Sequence, residues 1–410
     1  MSDSIIIVGA SHAGIACAEQ LRANGFSGQI QLIDRLSGVP FERPPLSKGF
    51  LQADGSEDKK FLLRRSDWFT SNEITLIDGR EVTAIDPRTK QLKLDDGQCC
   101  RYDKLVLATG AFPRQLDDAN NLQNVFVLRH AKNAYELRTA MKGRKNAVVI
   151  GGGYIGLEVA ASLTKAGMHV DVIEMAERLL ARVASPDISA FFANLHESNG
   201  VRIHAGAINQ EILQKDGVFL GIRLNDDRVI NAELLLVGIG VLPDLGVAAN
   251  AGLATGDGII VDGMMQSSVA DIYAIGDVAL LDGAVCRIES VDNAQNTAAR
   301  AAAAICESNQ PPKAAPWFWS EQFDARLQSA GIVPQEAAAV QYVVRPGKRE
   351  GGLSVWSYDV HGKLAAIEAV RDPAAYMLGK KCLDLGLSPP LSDICNADFD
   401  LKGFVASGAA

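Results

Sequence analysis

Ser4-Ile5-Ile6-Ile7-Val8-Gly9-Ala10-Ser11-His12-Ala13-Gly14 is the stretch whose reading decides the fold. A short apolar run meets a turn carrying Gly9 and Gly14. An amphipathic segment from Ile15 to Asn24 follows, and a second apolar run, Gln29 to Ile33, closes on Asp34. Strand, tight glycine turn, helix and parallel strand ending in a carboxylate make up a dinucleotide-binding βαβ unit. The helix N-terminus aims unpaired backbone N–H groups at a pyrophosphate, and Asp34 offers acceptors to a ribose. Ser11 occupies the second glycine position of G-x-G-x-x-G. It is small enough to keep the backbone approach close, but a single motif of this kind is a weak signal.

A repeat makes it strong. Ala147-Val148-Val149-Ile150 leads into Gly151-Gly152-Gly153-Tyr154-Ile155-Gly156-Leu157-Glu158, then a helical stretch to Ala166 and a strand from Met168 to Ile173 closed by Glu174. Here Gly151, Gly153 and Gly156 fill all three positions. Two such units, each with strand, helix and acid at the right distances, are not an accident, and the chain is expected to bind two dinucleotides.

The 410 residues suggest two or three domains, at roughly 150 residues each. An apolar share of 48% supports sizeable cores. A net charge of −9, with no basic block and no aromatic–basic interleaving, argues against nucleic acid as a partner. Met1-Ser2-Asp3 lacks the positive start of a signal peptide, and no run approaches a membrane span. Seven cysteines without framework spacing suit a reducing, cytoplasmic setting.

Beyond Asp34, Gly38-Val39-Pro40-Phe41-Glu42-Arg43-Pro44-Pro45-Leu46-Ser47-Lys48 is stiffened by its prolines. Lys48 either places its charge at the electron-accepting end of a flavin or is a solvated charge on a rigid loop. A short helix is expected around Ser66–Phe69, a strand over Ile74–Ile77, and a meander through Val82–Asp86 and Gln91–Leu94. Leu105 to Gly110 reads either as a fully buried edge of the nucleotide fold whose small end, Ala108-Thr109-Gly110, admits a cofactor, or as a plain core strand ending in a glycine turn. A helix is expected over Ala131–Met141.

In the second unit Glu174 welcomes the free ribose hydroxyls of NAD and repels a 2′-phosphate, while Arg178 and Arg182 are the counter-argument. Tyr154 and Glu158 follow the turn, either to cover a flavin and hold a nicotinamide carboxamide or to pack the helix. Residues 208–233 read as a meander, and the run Leu234 to Pro243 as another buried strand ending in a Gly-x-Gly-x-x-Pro turn, Gly238 to Pro243. Ile259 to Asp262 and Ser267 to Asp277 return the chain to the first domain. There Gly276-Asp277 suits a flavin's ribityl chain, and a helix covers Ala294 to Glu307. After Pro316 strands are expected over 322–327, 339–344, 353–359 and 363–370, with a helix over 374–386 and, after Pro389-Pro390-Leu391, a polar-apolar tail. Trp319 borders a flavin or an electron partner, or else is core.

Cys99 and Cys100 are adjacent, outside any C-x-x-C, and the other cysteines are scattered. No iron–sulfur or zinc spacing occurs, so no metal is expected and no disulfide relay. Electrons would then leave from the flavin itself. His12 is expected to pack locally and not to act as a base, since hydride transfer needs orientation more than an acid.

From about Ser4 to Gly386 the chain resembles the FAD-dependent, NADH-dependent ferredoxin reductases that serve cytochromes P450 and aromatic-ring dioxygenases. Arg43-Pro44-Pro45-Leu46-Ser47-Lys48, Leu107-Ala108-Thr109-Gly110, the Gly151–Ala160 run, Ile275-Gly276-Asp277, Arg287-Ile288-Glu289-Ser290-Val291 and Ala315-Pro316-Trp317-Phe318-Trp319-Ser320 carry the resemblance. The last two are far more specific than any glycine motif. Thr297 departs from a usual Gln, and Cys286 from a larger apolar residue.

The resemblance implies an α/β fold with two Rossmann-like domains of the glutathione-reductase kind and a C-terminal α+β domain. The flavin domain would be 1–111 and 238–315, the NADH domain 112–237, and the last domain 316–410. Lys48, Tyr154, Glu158 and Trp319 would be catalytic, with Lys48 and Pro45 by the isoalloxazine and Asp277 on the ribityl–phosphate region. Cofactor contacts are further expected from Gly9, Ser11, His12, Ala13, Gly14, Asp34, Arg35, Arg43, Val82, Ala108, Thr109, Gly110 and Arg129. In the later chain they are expected from Gly151, Gly153, Ile155, Gly156, Glu174, Arg182, Gly238, Ile239, Gly240, Gly276, Ser290 and Val291.

The partner implied is a [2Fe–2S] ferredoxin, met at a locally basic patch by a monomer or weak homodimer. Competing readings are a rubredoxin reductase, an NADH oxidase or disulfide-type reductase of the same fold, and a non-enzymatic flavoprotein resembling apoptosis-inducing factor. The missing active cysteine speaks against the oxidase and disulfide types.

Overall fold

Ser4–Val8 lies at the middle of a five-stranded parallel sheet, flanked by Gln29–Asp34 and Lys104–Leu107. Ile74–Asp78 extends it beyond Gln29–Asp34, and Ile272–Ala274 extends it beyond Lys104–Leu107. Ile5, Ile6 and Ile7 are buried, as expected where both sheet faces are covered. On one side, helices His12–Ala23 and Val291–Ile305 pack closely, because Ala294, Ala298, Ala301 and Ala302 present only small buried side chains. Lys104–Leu107 is therefore interior, not an edge. The edge place goes to Ile272–Ala274, which returns from far along the chain.

The structure, a computed structural model, describes residues 3–56, 58–334, 340–396 and 398–408. It divides into two compact units. One comprises 1–42, 55–112 and 241–312; the other comprises 43–54, 113–240 and 313–410. The Lys48 segment thus groups with residues 113–240 and with the C-terminal region, and not with the first glycine turn.

The second unit repeats the order of four of the first sheet's strands, but its outer strand beside Leu234–Val237, Val125–Phe126, precedes the βαβ unit instead of following it. Arg202–Ala205, His169–Glu174, Asn146–Ile150, Leu234–Val237 and Val125–Phe126 are all parallel. Each unit also carries a three-stranded antiparallel meander, Val82–Asp86 to Cys99–Arg101 in one and Asn209–Lys215 to Val229–Asn231 in the other. The buried strand Leu234–Val237 ends where the glycine turn was expected, and within that turn Val241–Pro243 resumes extended structure.

The C-terminal region is a five-stranded antiparallel sheet ordered Trp317–Gln322, Ala325–Gly331, Leu364–Val370, Leu353–Tyr358, Gln341–Pro346. The strand expected over 322–327 is instead a hairpin, turned at Phe323 with φ 52°. The strand expected over 339–344 begins at Gln341, and its Ala339 lies outside the described residues. Helix Pro373–Leu385 packs on the sheet and stops at Gly386, which adopts left-handed φ 68°. In the polar-apolar tail, Leu391–Ile394 and Leu401–Gly408 are helical and bury Ile394, Leu401 and Val405. Among the described residues no helix is long and apolar enough to cross a membrane.

Candidate functional site: two glycine cradles and a buried ion pair

In the first unit Gly9 has φ +106°, and a Cβ there would overlap the Ala108 carbonyl oxygen. A Cβ on Gly14 would overlap the Gly9 oxygen. The second unit repeats both constraints: Gly151, at φ +107°, faces the Gly238 oxygen, and Gly156 faces the Gly151 oxygen. So Ala108-Thr109-Gly110 and Gly238-Ile239-Gly240 are equivalent walls of two equivalent cradles. The middle position differs in kind, since a Cβ on Gly153 would meet no protein atom within 4 Å. That explains why the protein accommodates Ser11 at the matching place: the space there is open.

Helices His12–Ala23 and Tyr154–Lys165 start without a side-chain cap at Ser11 or Gly153. Helices Pro186–Ser198, Val291–Ile305 and Pro373–Leu385 are capped by Ser185, Ser290 and Asp372. Leaving the first N–H groups open at the two glycine turns fits a pyrophosphate.

The closing acids brace these turns. Asp34 Oδ2 accepts from the Ala10 N–H at 2.7 Å and Oδ1 from Leu36 at 2.8 Å. Glu174 Oε2 accepts from the Gly152 N–H at 2.7 Å and Oε1 from Ala176 at 2.8 Å. A carboxylate has about four acceptor sites, so ribose hydroxyls can share each acid. Arg178 is turned away from this task, donating to the carbonyls of Ala184 at 3.0 Å and Ala181 at 3.1 Å. Arg182 reaches toward Gly240.

Gly276, at φ +70°, brings its turn so close to the first helix that a Cβ would lie 2.8 Å from that of Ala13. Thr297, buried on the packed helix, accepts from the Gly276 N–H at 2.9 Å and donates to the Asn293 carbonyl at 2.6 Å. Arg287, with 5% of its side chain exposed, donates to the Asp277 carbonyl at 2.6 Å and pairs with Glu289 at 2.9 Å. The structure thus gathers Gly9, Ser11, His12, Ala13, Gly14, Ala108, Thr109, Gly110, Gly276 and Asp277 at one end of the parallel sheet. Ser290 and Val291 begin the helix that carries Thr297.

Thr297 and Arg287 enter the sequence reading only through the family resemblance, as a departure and as part of the Arg287–Val291 run, because a helical Thr and a loop Arg carry no spacing signal of their own. Arg35 is engaged by Asp244 at 3.0 Å and lies over the Phe112 ring at 4.1 Å. Val82 is buried in its meander strand, and Arg129 precedes helix Ala131–Met141, its N–H donating to Asn133.

Within the second unit Arg43 opens the short 3-10 turn Pro44–Ser47, which contains Pro45 and delivers Lys48. Lys48 Nζ lies 2.6 Å from Glu158 Oε2 and donates to the Pro44 carbonyl at 3.0 Å. Ser47 Oγ donates to the same Glu158 oxygen, and Ser320 Oγ donates to Oε1 at 2.6 Å. The sequence offered Lys48 and Glu158 as separate contacts; folding joins them. Two of the three Lys48 donors are used, which leaves one for a ligand.

Tyr154 is half-buried with its ring 4.6 Å from Phe318; burial first, then Glu368 and Glu158, push its phenol well above the usual range. Trp319, half-buried, stacks on Trp317 at 5.4 Å. Ile155 is exposed at the start of its helix. All seven cysteines are free.

Residues 3–298 match the pyridine nucleotide-disulphide oxidoreductase family, and residues 317–405 match the reductase C-terminal family. The chain is 37% identical over 408 residues to rhodocoxin reductase of Rhodococcus erythropolis, covering 98% of this chain and 94% of that protein. The ferredoxin reductase for the CYP199A2 system from Rhodopseudomonas palustris has the same fold, with TM-score 0.92, 38% identity, and coverage of 98% of this chain and 100% of that one. The covalent putidaredoxin reductase–putidaredoxin complex superposes with TM-score 0.93 at 33% identity, over 100% of this chain and 99% of that one. With its doubled glycine cradle and appended antiparallel domain, the chain belongs to the pyridine nucleotide-disulphide oxidoreductase family, among the FAD- and NAD(H)-using ferredoxin reductases.

Proposed function

We propose that the protein passes reducing equivalents from NADH through FAD to a [2Fe–2S] ferredoxin serving a cytochrome P450 or a ring-hydroxylating dioxygenase. The observation that carries this reading is the doubled cradle in a chain with no paired cysteines. Two nucleotides have places, and no thiol pair stands ready to relay electrons. The bound flavin supplies the conversion of a two-electron donor into two single-electron deliveries.

The chain's own residues bind and orient. The Gly9 turn, Asp34 and the Gly276-Asp277 turn hold FAD on a domain of residues 1–111 and 238–315. The Gly151 turn and Glu174 hold NADH on residues 112–237. Lys48 directs its remaining N–H toward the flavin ring, where a positive charge favours the electron-rich form. Tyr154 covers the stacking face, Glu158 fixes Lys48 while facing the carboxamide, and Trp319 of the 316–410 domain borders the flavin edge. Engagement of Arg178 by its own loop supports NADH over NADPH.

The test is anaerobic mixing of FAD-loaded protein with NADH, with a [2Fe–2S] ferredoxin as the only acceptor. Rapid flavin bleaching followed by turnover is expected. Bleaching without transfer, but with fast oxygen uptake in air, would overturn the electron-carrier reading in favour of an oxidase. Bleaching by NADPH alone would overturn the role of Glu174.

A further inference from the structure

Glu158 is the end of a longer chain of buried polar groups. Ser320 Oγ, bonded to Glu158 Oε1 at 2.6 Å, lies 3.2 Å from Gln322 Nε2. Gln322 Oε1 in turn lies 2.8 Å from His196 Nε2. Ser320 and His196 are fully buried, Gln322 is 1% exposed and Glu158 2%. Ser320 and Gln322 share one face of strand Trp317–Gln322, two residues apart, while His196 comes from helix Pro186–Ser198.

The direction of every proton in this chain follows from its end. A carboxylate only accepts, so the Ser320 hydroxyl donates to it. The Ser320 oxygen then accepts from the Gln322 amide nitrogen, which leaves Gln322 Oε1 facing His196. His196 must therefore carry its proton on Nε2. The other ring nitrogen agrees, since Nδ1 is buried with no partner among the described residues. Burial, only partly offset by Gln322, pulls the His196 imidazole down to about 4, which keeps the ring neutral. Apolar residues would fill this space without desolvating three polar groups. What Ser320, Gln322 and His196 add is a hydroxyl forced to point at Glu158.

We infer that Ser320, Gln322 and His196 form a one-way hydrogen-bond chain that orients the Glu158 carboxylate against Lys48, making them positioning residues for reduction of the flavin by NADH. The functional half of this inference rests on the proposed electron-transfer role, whereas the direction of the chain does not. Three segments distant in sequence, 43–54, 154–165 and 317–322, meet at one carboxylate whose two oxygens are served separately. Oε2 takes the charged pair and Oε1 takes the chain, so losing the chain frees the carboxylate to rotate about its own axis.

The experiment begins with the tautomer of His196, read by proton–nitrogen NMR of the holoenzyme near neutral pH, with a His196→Gln variant identifying the signal. A neutral ring protonated at Nε2 is expected; a ring protonated at Nδ1, or an imidazolium, overturns the chain. Gln322→Glu keeps the shape but accepts at both ends, so it turns the Ser320 hydroxyl away from Glu158 and favours a protonated His196. Bleaching by NADH should slow about tenfold, the loss of one hydrogen bond to a charged group. Ser320→Ala should slow it as much, whereas Ser320→Thr, which keeps the hydroxyl, should restore it. Wild-type rates in both Gln322→Glu and Ser320→Ala overturn the positioning role. Failure of the wild type to bleach with NADH defeats the electron-transfer reading, while an Nε2–H tautomer in that same sample still supports the direction of the chain.

Discussion

Lys48 Nζ stands 2.6 Å from Glu158 Oε2, with 18% of the lysine side chain and 2% of the glutamate exposed. Removing one member of such a pair strands the other. Lys48→Met should lower stability by about 3–5 kcal/mol, most of it from a buried carboxylate left without its cation. Replacing both, as Lys48→Met with Glu158→Leu, should recover much of that loss, because an apolar pair needs no compensation. Urea unfolding of the two variants measures both effects. Flavin bleaching should stay slow in each, which separates stability from chemistry.

Two glycines of the second cradle predict different failures. A Cβ on Gly156 has no room beneath the Gly151 oxygen, so Gly156→Ala should destabilise the second unit by several kcal/mol or prevent its folding. Gly153 faces open space, so Gly153→Ser should unfold like the wild type and raise the KM for NADH several-fold. Thermal melts beside steady-state kinetics distinguish the two outcomes.

Glu368 predicts how stability depends on pH. It is fully buried on strand Leu364–Val370, and both oxygens accept from the Ser185 N–H, at 3.2 and 3.1 Å. Burial raises its carboxyl from 4.5 to about 7, against the lowering pull of Ser185 and Arg178 and with Asp187 adding to the rise. Tyr154 and Tyr342 also face it. The folded chain therefore holds a proton that the unfolded chain has released. This group's contribution to stability falls as pH climbs from about 4.5 to about 7 and is level above. The span corresponds to about 3 kcal/mol. Glu368→Gln should accordingly be more stable than the wild type at mildly alkaline pH and nearly equal in acid, as denaturant curves at the two extremes will check.

The thiols divide by burial. Cys99, Cys286 and Cys395 are exposed, whereas Cys17 is fully buried and its thiol is pushed up to about 12 by desolvation and by Cys306. A thiol reagent should modify the exposed three quickly and Cys17 only on unfolding. Alkylated protein should keep NADH-driven transfer to ferredoxin; loss of that transfer would favour a disulfide-type reductase.

The cradles were legible in sequence because each is local. A glycine turn, its helix and its closing acid lie within about thirty residues, and the Gly151 copy confirmed the imperfect Ser11 copy. Joining Lys48 to Glu158 was not legible, since the two lie 110 positions apart and each read as an independent contact. Ser320, Gln322 and His196 were hidden for another reason. Polar residues alternating on a strand read as its solvent face, and only the covering helix turns that face inward. The expected strand over 322–327 failed at Phe323 and Asp324, where a two-residue turn leaves no glycine or proline to mark it. The role of Thr297 depends on a backbone N–H twenty-one residues away, at Gly276.

The placement of Ile272–Ala274 against Lys104–Leu107 also governs how the molecule is made. A ribosome releases the chain from its N-terminus, and the first parallel sheet lacks its outer strand until residue 274 has emerged. By then the whole run 113–240 has already appeared and has the local contacts to collapse first. Long sequence separation slows closure of the older sheet. During synthesis the parallel sheet of residues 125–237 should close before the one that begins the chain, leaving Lys104–Leu107 as an unsatisfied strand edge. That exposed interval is where a holding chaperone would act.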